Sequence, residues 1–132
     1  MRAVDTNVLV RLLARDDAAQ VAAAESFVEE GAWVSLLVLA ETSWVLSSVY
    51  ELDRGAIGLA VEMLLGHRSL VVQDPPTVAA ALTTFRARPG LGFSDCLVLE
   101  MARSAGHLPL GTFDRGLSKA PGAQLLGRRV GR

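Results

Sequence analysis

The sequence has little of several residue types that mark particular classes of protein. Cys96 is its only cysteine, so an intramolecular disulfide is impossible and a disulfide-stapled secreted scaffold is excluded. Lys119 is its only lysine, and 13 basic against 14 acidic residues give a net charge of -1, which leaves no overall positive field for a polyanion. The most apolar stretch, residues 32–40, is far shorter than the ~20 residues of a membrane span. A cytoplasmic protein that does not cross a membrane is therefore expected.

The residues that are present suffice for one ordinary folded domain. The chain has 132 residues, of which 51% are hydrophobic and 20% are charged. This balance excludes a disordered or collagen-like chain, and a domain of this size buries enough surface to fold without disulfides or a structural metal. We expect a single domain over residues 1–132.

Short apolar runs alternate with segments of helical periodicity along the whole chain. Strands are predicted at residues 2–5, 32–34, 70–72, 108–113 and 124–126. Helices are predicted between them, with N-caps at Thr6 or Asn7, at Asp16 or Asp17, at Asp53 and at Ser94. The alternation predicts an α/β fold: a three-layer α/β/α sandwich with a mostly parallel sheet of about five strands, covered by helices on both faces. Residues 127–132 are predicted to form a frayed basic tail.

Four acidic residues fall where parallel α/β folds bind ligands, at the carboxyl ends of strands and the starts of the following helices. They are Asp5, Glu41, Asp95 and Asp114. Taken singly, Asp5 and Asp114 also fit helix caps or turns, and Asp95 fits a favourable charge near a helix N-terminus. Glu41 lies in an apolar helix with no Lys or Arg between Arg15 and Arg54, so burial of its carboxylate would be costly.

Carboxylates gathered in one cleft repel each other unless a cation neutralises them. Oxygen ligands without paired His or Cys favour Mg²⁺ or Mn²⁺, and such sites typically hydrolyse phosphodiesters.

The sequence gives less support to other kinds of catalytic or binding site. The Gly-rich segment at residues 90–94 lacks the lysine of a phosphate-binding P-loop, and Cys96 fits core packing. His67 and His107 fit solvated positions after helix ends.

Four sequence motifs resemble those of a known family over essentially the whole chain. They are MRAVDTNVL at residues 1–9, Glu41, GFSDCL at residues 92–97, and LGTFD at residues 110–114. Together and in this order they resemble the PIN-domain ribonucleases, and most closely the VapC toxins of bacterial and archaeal toxin-antitoxin modules. The segment that follows, with Asp114-Arg115-Gly116-Leu117 and then Pro121-Gly122, also looks like the end of that family's domain.

The resemblance implies a metal-dependent endoribonuclease whose acidic site binds Mg²⁺ or Mn²⁺. On this basis the metal ligands are Asp5, Glu41, Asp95 and Asp114, with a supporting polar shell of Thr6, Asn7, Ser94 and Thr112. It also implies an RNA substrate cut to leave a 5′ phosphate and a 3′ hydroxyl, a homodimer, and inhibition by a small cognate antitoxin whose tail enters the acidic groove.

Other functions stay open on the sequence. One is a housekeeping PIN nuclease of RNA processing. Another is a phosphotransfer or receiver-like α/β domain with Asp5 as nucleophile, although the segment from Asp5 to Asn7 lacks a second aspartate and Lys119 is distant. A third is a non-catalytic interaction module, which no missing acidic residue supports. Several arginines fit phosphate contacts and surface solvation equally well: Arg11, Arg15, Arg86, Arg88 and Arg115.

Overall fold

The computed structural model describes residues 1–127, within two compact units, Met1–Pro75 and Pro76–Arg132. Residues 128–132 fall outside the described part of the chain, and the predicted basic tail lies there except for Gly127. The fold is α/β, as the sequence predicts. The described residues form seven helices and five strands, and every strand pairing among them is parallel. A single domain over residues 1–132 stays a prediction.

The first unit alternates strands and helices around a three-stranded sheet. Its elements are β1 (Arg2–Ala3), α1 (Thr6–Ala14), α2 (Ala18–Val28), β2 (Ala32–Val34), α3 (Leu36–Ser48), α4 (Arg54–Gly66) and β3 (Leu70–Val72). The strands are ordered β1-β2-β3, and Trp33 pairs with Ala3 on one side and Val71 on the other. Ala32 and Val34 are buried on one face of β2, whereas Trp33 and Val71 lie on the more open face, 37% and 48% exposed.

Helix α1 begins one residue earlier than the sequence predicts, because Asp5 is its N-cap. The Asp5 carboxylate accepts a hydrogen bond from the Val8 backbone N–H at 3.2 Å. The predicted caps Thr6 and Asn7 are therefore wrong, and both lie inside the first turn of α1. The caps predicted at Asp17 and Asp53 are confirmed, since each accepts from the backbone N–H three residues on. Strand β1 ends at Ala3, so the turn from Val4 leads directly into this cap.

The second unit contains the remaining helices and a two-stranded ladder. Its elements are α5 (Pro75–Ala87), which begins at the unit boundary, α6 (Phe93–Ser104), β4 (Leu110–Thr112), α7 (Arg115–Ser118) and β5 (Ala123–Leu125). Strands β4 and β5 pair in parallel, so the five predicted strands form ladders of three and two. Ser94 is not the N-cap of α6, as predicted, because the helix begins at Phe93 and Gly92 occupies the cap position without a side-chain hydrogen bond.

Helix α6 is fixed at both ends of its length by specific contacts. At its start, the Phe93 ring packs edge-on against Phe85 of α5, with centroids 5.8 Å apart. Further along, Glu100 is only 7% exposed, and its carboxylate accepts hydrogen bonds from Thr84 at 3.1 Å and from Arg103 Nε at 3.0 Å. Arg103 also donates to the Pro121 carbonyl at 2.6 Å, which ties α6 to the segment before β5. A buried carboxylate with these partners makes α6 a rigid base for the residues at its N-terminus.

Candidate functional site

Asp5 stands at the turn between β1 and α1, the position predicted for it. Its carboxylate is exposed, and one oxygen, Oδ1, accepts from the Val8 N–H. Asp5 is therefore a helix cap, as one interpretation of the sequence proposed. Capping uses one lone pair on one oxygen, and an ionised carboxylate can accept several further contacts. The cap thus fixes the direction of the side chain and leaves Oδ2 available for a ligand.

Glu41 lies on α3 and is held from the neighbouring helix. Thr6 Oγ1, in the first turn of α1, donates a hydrogen bond to Glu41 Oε1 at 2.8 Å. The side chain of Glu41 is exposed, so the cost of burial considered from the sequence does not arise. Leu37 and Trp44 lie one turn to either side and are 71% and 63% exposed, so this face of α3 is turned to solvent. Of the predicted shell residues, Thr6 is thus positioned to orient Glu41.

Asn7 follows Thr6 on α1 and is also exposed. Its side-chain amide makes no hydrogen bond within residues 1–127. The structure therefore gives Asn7 no positioning role toward Asp5 or Glu41, and it leaves the amide free to contact something outside the protein.

Asp95 and Asp114 are the two acidic residues that the second unit contributes. Asp95 is half-buried in the first turn of α6, where the helix dipole favours a negative charge. Burial, and next the charge of Asp114, raise the pKa of the Asp95 carboxyl above its usual range. The two side chains therefore lie close enough to repel each other when both are ionised. Such a pair gains from a cation between its carboxylates.

Asp114 is held in place by its own turn. It caps α7, with Oδ1 accepting from the Leu117 N–H at 2.9 Å, and its backbone N–H donates to Thr112 Oγ1 at 3.0 Å. Thr112, a predicted shell residue, therefore fixes the backbone of Asp114. A Cβ at Gly116 would stand 3.2 Å from Asp114 Oδ1, so a side chain there would crowd the carboxylate. Sequence reasoning missed Gly116, although the Asp-x-Gly spacing is a turn signal that points to it.

Ser94, the last predicted shell residue, is half-buried beside Asp95, and no hydrogen bond of its side chain is found within residues 1–127. The predicted acids thus occur as Asp5 and Glu41 on the adjacent helices of the first unit, and Asp95 and Asp114 in the second. Across residues 1–127, no three His, Cys, Asp or Glu side chains are grouped closely enough to hold one metal ion together. The four-carboxylate metal site therefore stays a prediction.

A comparison with models of protein families identifies the chain. The PIN domain model matches residues 2–123, which spans all seven helices and the start of β5. The chain belongs to the PIN-domain family. PIN domains are generally nucleases that use divalent metals and act on RNA, so membership supports a nuclease over the receiver-like and phosphotransfer alternatives. No curated protein and no solved structure matches this PIN domain. None of the helices formed by residues 1–127 has the length and apolarity required to span a bilayer.

Proposed function

We propose that this PIN domain is an endoribonuclease that depends on Mg²⁺ or Mn²⁺ and uses Asp5, Glu41, Asp95 and Asp114. The observation that carries the proposal is the Asp95–Asp114 pair within a PIN-domain chain. Burial, and next the charge of Asp114, raise the pKa of Asp95, so ionisation of Asp95 is penalised in the protein alone. A divalent cation removes that penalty, which is how a catalytic metal site differs from two surface aspartates.

The side chains present have the chemistry that Mg²⁺ and Mn²⁺ require. All four are carboxylates, and no cysteine or histidine is among them, which suits hard cations rather than zinc or copper. When bound, Mg²⁺ or Mn²⁺ supplies an acidified water and neutralises the charge that develops on the phosphate. In the proposed reaction the water oxygen bonds to phosphorus, the bond from phosphorus to the 3′ oxygen breaks, and a 5′ phosphate and a 3′ hydroxyl result.

The residues of the chain itself have separate tasks in this reaction. Asp95 and Asp114 would hold the divalent cation that neutralises the phosphate. Thr112 fixes the backbone of Asp114 by accepting a hydrogen bond from its N–H. Glu41, restrained by Thr6, orients the attacking water or accepts its proton. Asp5 is the fourth acid. Its capping bond to Val8 restricts the side chain to one direction, so little conformational entropy is lost when Oδ2 takes a ligand.

Arg115 is the arginine best placed for a phosphate contact in this proposal. It follows Asp114 directly, is exposed, and has no ion-pair partner within residues 1–127. Two other arginines considered from the sequence are already paired, Arg11 with Asp16 at 2.6 Å and Arg15 with Glu25 at 3.0 Å. An unpaired guanidinium is the better phosphate ligand because both of its donor edges remain available.

The purified protein is expected to cleave single-stranded RNA in Mg²⁺ or Mn²⁺ and to lose that activity in EDTA. Cleavage should return when the metal is added back, and end-labelling should show 5′ phosphates and 3′ hydroxyls on the products. Cleavage that continues unchanged in EDTA, or products with cyclic phosphates, would contradict the proposed mechanism, since metal-activated water does not leave such ends.

We further propose that the nuclease is the toxin of a type II module. Expression of the wild-type chain is then expected to arrest growth of its native host, and co-expression of the small protein encoded next to it should restore growth. An Arg or Lys in the antitoxin tail should enter the acidic site, because a cation is what four carboxylates lack. Asp95→Asn, expressed to the same level, serves as the harmless control. A wild-type chain that is harmless at high expression would point instead to a housekeeping nuclease.

A homodimer is part of the same proposal. Leu59 and Met63, both largely exposed and one turn apart on α4, supply apolar surface for a partner. Sedimentation should then give about twice the 14.0 kDa of one chain, whereas a stable monomer at micromolar concentration would remove the dimer from the proposal.

A further inference from the structure

A cavity of about 430 Å³ lies between α1 and α2 in the first unit. Its volume is within the range of sites that bind small molecules. Its walls combine polar and apolar side chains, among them Asn7, Val8, Arg11, Gln20, Ala23 and Phe27. The α2 wall is lined by alanine where the helix faces α1, so small side chains leave the space open.

Polar groups at the cavity lack partners in the protein. The amides of Asn7 and Gln20 make no side-chain hydrogen bond within residues 1–127. Both residues are exposed, so the two amides are available to a bound group.

The Arg11 guanidinium is fixed, and its charge is already balanced. Its Nη1 donates to Asp16 at 2.6 Å and to the Tyr50 hydroxyl at 3.0 Å, and Tyr50 in turn donates to Asp16 at 2.8 Å. Because Asp16 neutralises Arg11, an anionic phosphate would gain little net attraction here. A neutral planar group with donors and acceptors on its edge suits two free amides and a fixed guanidinium better.

Phe27 gives the cavity a rigid aromatic wall. Arg2 lies over one face of the Phe27 ring, 3.9 Å from its centroid, and also donates to the Phe27 carbonyl at 3.0 Å. The first turn of α1 also lines the cavity, through Asn7 and Val8. The backbone N–H of Val8 is the group that Asp5 caps, at 3.2 Å. The cavity therefore lies close to Asp5, the acid at the start of the same helix.

We propose that this cavity is a nucleobase-binding subsite, which takes one unstacked base of a single-stranded RNA and so places a neighbouring phosphodiester at Asp5. The inference rests on the proposed nuclease function. In this arrangement Asn7 and Gln20 pair with the edge of the base, and the apolar side chains and Phe27 contact its ring. Proteins that bind single-stranded RNA commonly hold splayed bases through such amide and aromatic contacts.

The test uses two alanine-to-leucine variants on the same helix. Ala23→Leu fills the cavity, whereas Ala22→Leu adds the same side chain at a neighbouring exposed position that does not line it. Leucine is a good helix former, so melting temperatures of both should stay near wild type. Binding of a fluorescein-labelled single-stranded RNA is measured in EDTA, and a series of RNAs each carries one abasic nucleotide. In the wild type, one abasic position should weaken binding by about 10-fold, the scale of one lost base contact.

Ala23→Leu is expected to weaken binding of the intact RNA by a similar factor and to abolish the dependence on that abasic position, while Ala22→Leu behaves as wild type. The subsite is wrong if Ala23→Leu binds RNA as wild type does, if both variants keep the abasic dependence, or if the wild type shows none. Loss of antitoxin binding alone in Ala23→Leu would assign the cavity to a protein partner and overturn the proposal. Position-dependent binding without cleavage in Mg²⁺ or Mn²⁺ would overturn the nuclease function and keep the subsite. If Ala23→Leu cleaves RNA with the same KM as the wild type, the subsite is overturned and the nuclease function is kept.

Discussion

Asp95→Asn is expected to lower RNA cleavage by at least ~100-fold, the scale of losing one major electrostatic stabiliser. Asparagine keeps the size of the side chain, and α6 stays anchored by Phe93 and Glu100. The variant should therefore fold, and the loss should come from weaker metal binding. Initial rates over a Mg²⁺ titration measure this, with melting temperature recorded for each protein.

The same substitution has an opposite effect on stability, and its sign follows from the raised pKa of Asp95. A carboxyl whose pKa is raised on folding favours the folded state most at pH below its unfolded pKa, and that advantage disappears as pH rises through the folded pKa. At neutral pH without metal, Asp95→Asn should thus melt slightly above wild type. At pH below the unfolded pKa of Asp95, where its carboxyl is protonated, the difference should vanish. Adding Mn²⁺ should raise the melting temperature of wild type more than that of the variant.

If Asp95 were only a favourable charge in the first turn of α6, Asn would leave cleavage intact and lower stability slightly. The two interpretations therefore differ in the sign of the stability change and in the size of the activity change. A folded Asp95→Asn protein that cut RNA at near the wild-type rate would falsify the proposed site.

Asp5→Asn is expected to reduce cleavage by about 100-fold as well, if the carboxylate has the electrostatic role of a metal ligand. The chain offers a matched control, because Asp17 caps α2 as Asp5 caps α1. Asp5 accepts from the Val8 N–H at 3.2 Å and Asp17 accepts from the Gln20 N–H at 3.1 Å. Asparagine is about as good an N-cap as aspartate, so Asp5→Asn and Asp17→Asn should change the melting temperature by similar small amounts.

Only Asp5→Asn should impair cleavage. The comparison separates two roles that coexist in one side chain, since both variants keep the cap and lose one negative charge at a helix start. Equal activity of the two variants would make Asp5 a helix cap without a catalytic role. Equal losses in both would indicate a general effect of charge rather than a site at Asp5.

The fold class and two of the helix caps can be predicted from short stretches of the sequence, without knowledge of the packing. The α/β class follows from apolar runs alternating with helical periodicity, and the caps at Asp17 and Asp53 follow from aspartate before a helical segment. Helices of only four residues cannot be predicted from hydrophobic periodicity. Helix α7, Arg115–Ser118, is too short to show a periodicity, although Asp114 is a good capping residue.

Where the sequence allows more than one helix cap or more than one buried helix face, the tertiary structure determines which one occurs. Three successive residues, Asp5, Thr6 and Asn7, can each cap a helix, and the first of them does so because β1 ends early and α1 starts directly after the turn. Helix α3 is apolar on most sides, so its pattern does not show which side faces the core. Packing against α1 and α4 leaves Leu37, Glu41 and Trp44 exposed.

The sequence by itself thus determined the fold class, most elements, and which acidic residues follow strands or open helices, because these depend on neighbours a few residues apart. Tertiary structure alone decided that the strands pair as three and two, that Thr6 reaches Glu41, and that burial and the charge of Asp114 raise the pKa of Asp95. Each of these depends on the distance between residues far apart in the chain, which the loops and packed side chains between them set and which no local pattern of residues encodes.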